Sequence, residues 1–126
     1  CNQHWLPVFD WAGAFDIFSP VGANYQGGAL DLAARVTIQW VHRVWALVTA
    51  LYVIGFVSCL FCHTSIKSIR RVAVLALGLV VLQCMLGIFN VVYMLPLVVA
   101  VLHNGVALLL LISMVSLFYL LSGRRV

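Results

Sequence analysis

The chain has 126 residues, 65% of them hydrophobic and 8% charged, with a mean hydropathy of +1.15. So little polar surface cannot cover the apolar core of a water-soluble domain, so the surrounding solvent is expected to be lipid. The net charge of +4 forms no basic stripe between aromatics, which excludes a nucleic-acid-binding face and leaves the charges to be read as membrane topology.

Residues 1–34 read as an aromatic-rich extracytoplasmic loop carrying Trp5, Phe9, Trp11, Phe15 and Phe18. Phe9, Trp11, Phe15 and Phe18 partly share a face of a short helix, and such rings favour the membrane–water interface. Two readings stand with equal weight: a segment lying on the outer surface and capping what the helices hold, and an ordinary solvated loop. Asp10 and Asp16 are read as solvated charges. Tyr25-Gln26-Gly27-Gly28 is a turn, and Asp31 is expected to N-cap the first spanning helix with Arg35 four residues on.

Residues 35–126 read as three transmembrane helices, at about 36–61, 72–93 and 97–121, each meeting the roughly 20-residue length that spans a bilayer. The fold class is an all-α membrane protein. Gly55, Gly78, Gly87 and Gly105 are expected to mark close helix approach. Met94-Leu95-Pro96-Leu97 is a tight connection with the proline placed to start a helix. Cys59-Leu60-Phe61-Cys62 has the spacing of a redox dithiol, but it lies in an apolar run without a βαβ context. Small buried apolar residues are the better account.

Lys67, Arg70 and Arg71 lie between the first two runs, and Arg124 and Arg125 follow the third. Both clusters fall on one side if all three runs span, and the positive-inside rule makes that side cytoplasmic or the mitochondrial matrix. Residues 1–34 are then outside. No signal peptide is visible to export them, so an upstream transmembrane helix is expected.

His42 and His103 each lie six residues inside the outer end of their apolar runs, roughly 9 Å deep at 1.5 Å per residue. The two runs are parallel, because the second returns between them. Ionisable residues at such depth are functional by default. An imidazole pair at matched depth suits bis-histidine ligation of heme iron. Ala100 and Ala107 beside His103 leave room for a macrocycle. Gln39, Ala46 and Thr49 share the His42 face. Ala76, Gln83, Gly87 and Asn90 form a small and polar stripe on the middle helix, able to orient a ligand histidine through its second ring nitrogen. Arg43 has two readings of equal weight, an interface anchor and a partner for a heme propionate. The competing account of the histidines is a pair of helix-to-helix hydrogen bonds. Copper or zinc lacks a nearby cysteine or carboxylate to complete a site. His4 and His63 read as solvated. No nucleophile triad, phosphate loop or carboxylate pair occurs.

Asn24-Tyr25-Gln26-Gly27-Gly28, Ala34-Arg35-Val36, Val41-His42-Arg43, Gln83, Leu86-Gly87, Leu95-Pro96 and His103-Asn104 follow one another in an ordered set. In that order and spacing they resemble the C-terminal half of heme A synthase, over nearly the whole chain. The resemblance implies an eight-helix protein of two similar four-helix halves, each presenting two histidines to a heme. The C-terminal half resembles a carrier of heme b, whose iron His42 and His103 would ligate. The missing N-terminal half holds the substrate heme O and an essential glutamate. The whole protein oxidises the C8 methyl of heme O to the formyl of heme A for cytochrome oxidase assembly, using an electron donor the sequence does not name. This chain contains no glutamate. It is therefore expected to be inactive alone, as a three-helix part of one half-bundle. Cys1 resembles one of the paired loop cysteines of some members. The bacterial inner membrane is the expected location, with the mitochondrial inner membrane as the alternative. A bis-histidine cytochrome b subunit and a non-enzymatic transporter or assembly scaffold remain the other functional readings.

Overall fold

A computed structural model describes residues 8–16 and 30–123. The readings on Cys1, His4, Trp5, Phe18, the Tyr25–Gly28 turn, Arg124 and Arg125 lie outside the described residues. Four helices follow in order: α1 Trp11–Ala14, α2 Leu32–His63, α3 Lys67–Val92 and α4 Leu97–Ser122. No strand occurs among the described residues. The three long helices are each apolar enough to cross a membrane, so the chain is an all-α membrane protein. It divides into two compact units, Cys1–Leu47 and Val48–Val126.

In the N-terminal unit, Asp10 is not the solvated charge its sequence context suggested. Its side chain accepts from Gly13 N at 2.9 Å and caps α1. This satisfies one of the amides that a helix start leaves without a partner. The Asp10 amide donates to Thr37 Oγ1 at 3.0 Å, and that hydroxyl donates to the Ala33 carbonyl at 2.8 Å. Thr37 is fully buried, so both roles of its hydroxyl are used inside the protein. Around this clasp the Phe9 ring stacks on Trp11 at 5.3 Å and meets Trp40 edge-on at 5.1 Å. Trp11 in turn stacks on Phe15 at 6.4 Å.

Asp31 Oδ1 accepts from Leu32 N at 2.7 Å at the start of α2. The helix therefore begins four residues before the apolar run at Val36, and α3 begins five residues before the run at Val72. Apolar runs count bilayer thickness. Backbone hydrogen bonding continues past it through Leu, Ala, Lys and Arg, all good helix formers. Arg70 closes the α2–α3 connection. Its Nη2 donates to the Phe61 carbonyl at 3.1 Å, with the guanidinium 5.5 Å from the Phe61 ring centre. One of the last carbonyls of α2 is thereby satisfied by a cation at the negative end of its dipole.

At the other end of α3, Leu95 N donates to the Asn90 carbonyl at 2.8 Å and Tyr93 N to the Phe89 carbonyl at 2.9 Å. The six-to-one bond is that of a Schellman turn, whose left-handed position usually falls to glycine. Here Met94 (φ 55°) and Leu95 (φ 60°) take left-handed conformations, a strain of about 1–2 kcal/mol per residue. Pro96 then stands as the N-cap of α4.

The core of the helical unit is an apolar cluster of Val53, Val57, Leu60, Ile69, Ala73, Ala76, Val80 and Leu117. Two sequence expectations fail around it. Gly55, Gly78 and Gly105 face open space, and of the four glycines of the spanning helices only Gly87 approaches another helix. Cys59 and Cys62 are exposed, not buried. Both failures share a cause. In lipid an apolar or small side chain gains little from being turned inward, so apolarity does not mark the packed face.

Candidate functional site

Gln83, Asn90 and His103 gather on the α3–α4 side of the helical unit toward the Met94–Pro96 turn. Gln83, Gly87 and Asn90 recur at helical spacing and present one face of α3. Ala76, further along the stripe, belongs to the apolar core instead. His103 enters from α4, half-buried. Its Nε2 lies 3.1 Å from Gln83 Nε2. An amide N–H donates there to the unprotonated ring nitrogen. With the amide turned over, its oxygen accepts from a ring N–H instead, and either arrangement fixes one imidazole tautomer.

Gly87 sets the other wall. A Cβ at this position would stand 3.4 Å from His103 Cε1. The missing side chain lets the ring lie against α3 one turn beyond the Gln83 contact. Asn90 Oδ1 and Gln83 Oε1 are buried and accept no hydrogen bond from any described residue. Such orphans in an apolar medium are costly and signal a polar site.

His42 and Arg43 lie in the N-terminal unit, at the eleventh and twelfth positions of α2, and both are exposed. Gln39, Ala46 and Thr49, on the same helix face, are exposed as well. His63, read as solvated, is exposed, but its Nδ1 lies 2.9 Å from the Cys59 carbonyl oxygen. Sequence reasoning missed the clasp between Asp10 and Thr37. Its only sequence signal is an Asp three residues before a Gly, the mark of a short capped turn.

Among the described residues no three His, Cys, Asp or Glu side chains converge as a bare metal site would require. An iron porphyrin would ask less of the protein: an imidazole to reach the iron and a neighbouring polar group to hold that ring. His103 braced by Gln83, with Gly87 and Ala100 beside it, suits that demand.

These features define a polytopic membrane protein with a histidine-bearing polar seam between two of its helices. The chain belongs to the cytochrome oxidase assembly protein family, which it matches over residues 2–115. It is similar to the heme A synthase of Shewanella oneidensis, with 40% identity over 121 residues, covering 96% of this chain and 36% of the relative. It is also similar to the heme A synthase of Azorhizobium caulinodans, with 31% identity over 115 residues, covering 90% of this chain and 30% of the relative. The chain thus spans about a third of the length of these relatives. No solved structure matches it.

Proposed function

We propose that this chain is the C-terminal, heme-b-binding half of a heme A synthase, the oxidoreductase that converts the C8 methyl of heme O to the formyl of heme A in cytochrome oxidase assembly. The observation that carries the reading is the His103 imidazole held between Gln83 and Gly87 inside a membrane-spanning helix pair. The similarity to two heme A synthases supports it.

In this reading His42 and His103 are the residues that would hold the iron of heme b. With the Gln83 amide turned so that its oxygen accepts from His103 Nε2–H, the ring tautomer would be fixed with the Nδ1 lone pair left for the iron. Gly87 leaves room for the ring against α3. Arg43, exposed one residue after His42 on α2, would pair with a propionate through a charge-assisted hydrogen bond. When bound, the heme supplies a one-electron couple whose potential burial and hydrogen bonding tune.

The remaining assignments follow the same reading. Residues 1–34 form an extracytoplasmic loop, and residues 35–126 form the transmembrane heme-binding region of one half-bundle. Lys67, Arg70, Arg71 and the C-terminus face the cytoplasm of a bacterial inner membrane. The chain's partners are the N-terminal half of the same protein, the lipid bilayer, heme O as substrate and an electron donor. With no glutamate of its own, this part is inactive without that half.

The test is a reduced-minus-oxidised spectrum of the purified full-length protein. Low-spin bis-histidine bands are expected in the wild type and lost in His42→Ala and in His103→Ala. A colourless wild type after expression with ample heme, or bands untouched by both substitutions, overturns the proposal.

A further inference from the structure

The last five residues of α2 are Cys59-Leu60-Phe61-Cys62-His63. Their order, C-x-x-C-H, is the one in which c-type hemes are attached. On a helix, Cys62 and His63 stand one turn beyond Cys59 and to either side of it, so all three share a face. All three are exposed.

The ring of His63 is oriented as a ligand's would be. Its Nδ1 lies 2.9 Å from the Cys59 carbonyl oxygen. A carbonyl only accepts, so Nδ1 carries the proton and Nε2 the lone pair. A ring N–H held by a backbone carbonyl is the usual second-shell arrangement of a metal-ligating histidine. Cys59 Sγ lies 3.6 Å from the same nitrogen, so the first thiol sits directly beside the ring. A histidine at a helix end also serves as a plain C-terminal cap, but a cap gives no role to the two thiols.

The surroundings match the shape of one ligand class. A heme is an apolar disc with two carboxylates on one edge. Lys67 and Arg71 are exposed at the start of α3, four and eight residues after His63 and so a short connection away from it. Arg70 is engaged with Phe61 and fixes the connection between the helices.

We propose that the basic end of the helical unit is a second docking site for a heme, with His63 Nε2 as axial ligand, Cys59 and Cys62 beside the vinyl edge and Lys67 and Arg71 on the propionates. The site requires neither His42 nor His103. Where attachment becomes covalent, each thiol adds across a vinyl group. A carbon–sulfur bond forms at one vinyl carbon, the thiol hydrogen goes to the other, and no oxidant is consumed.

Full-length protein in phosphatidylcholine nanodiscs, titrated with hemin against empty nanodiscs, tests this. Wild type is expected to take up one equivalent more than His63→Ala, and more than His63→Gln, which keeps a donor for the Cys59 carbonyl. Lys67→Ala and Arg71→Ala weaken that uptake, whereas His42→Ala and His103→Ala leave it in place. Heme that survives denaturation in wild type and not in Cys59→Ser or Cys62→Ser marks the thioether form. Heme released on denaturation marks the reversible form, and both support docking. Equal hemin uptake by wild type and both His63 variants overturns the proposal, and it does so without touching the reading of His42 and His103.

Discussion

At the basic end of the helical unit, α3 contributes Ile69, Ala73, Ala76 and Val80 to a cluster completed by Val53, Val57, Leu60 and Leu117. Toward the Met94–Pro96 turn the same helix presents Gln83, Gly87 and Asn90, and α4 answers with His103. The first region is held by fit alone. Lipid tails are as apolar as leucine, so burial gives no hydrophobic gain there and close packing decides. The second region carries buried acceptors without donors among the described residues, an arrangement that costs stability. A seam that gives up stability beside a well-packed core is where function is to be sought.

Four substitutions probe that contrast. Leu117→Ala should have the largest effect. The side chain is fully buried, and with no transfer gain in lipid the loss is the cavity term, up to about 2 kcal/mol for a leucine-to-alanine void at about 24 cal/mol per Å³. Thermal or SDS unfolding of the full-length protein should register the loss while the heme spectrum of the folded fraction stays unchanged. A spectral change equal to that of a seam substitution would erase the distinction between the two regions.

Gln83→Leu should behave in the opposite way. Loss of one interhelical hydrogen bond in a membrane costs about 0.6–2 kcal/mol. Loss of a second-shell partner weakens ligand binding about 10–100-fold. Heme retention and reduction potential should move far more than the unfolding midpoint. An unmoved potential would reduce Gln83 to a structural contact.

Met94→Gly should stabilise the protein by about 1 kcal/mol, because glycine takes the left-handed conformation without the Cβ clash. Unfolding measurements check the sign, and a destabilised variant would contradict the turn geometry. Gly87→Ala should be the mildest of the four. Its new Cβ would stand 3.4 Å from His103 Cε1, so the ring must yield by a few tenths of an ångström. A small shift of the low-spin signal with an unchanged unfolding midpoint is expected. The same change at Gly78, which faces open space, should leave both readings alone.

Much of this architecture was legible in the sequence. Apolar length marked three spans and the Met94-Leu95-Pro96 connection marked the return; of the stripe Ala76, Gln83, Gly87 and Asn90, Gln83 and Gly87 meet His103, whereas Ala76 belongs to the core. What stayed hidden follows from the solvent. Helix starts at Leu32 and Lys67 lie outside the apolar runs, because helical hydrogen bonds do not need apolar side chains. Gly55, Gly78, Gly105, Cys59 and Cys62 are exposed, since lipid does not reward turning them inward. The clasp of Asp10 on Thr37 joins residues 27 apart, a tertiary contact that no local periodicity encodes. The seam was readable for the opposite reason: polar residues in an apolar helix are few, and each has to be accounted for.

The central claim is that His103 ligates heme iron from the seam. Ligand rescue tests it most directly. In the full-length protein, His103→Gly should lose the low-spin ferric EPR signal of the heme b site, and added imidazole should restore it by filling the space the ring has left. If His103→Gly keeps the wild-type signal without imidazole, His103 is not a ligand, and the seam is only a place where two helices hydrogen-bond.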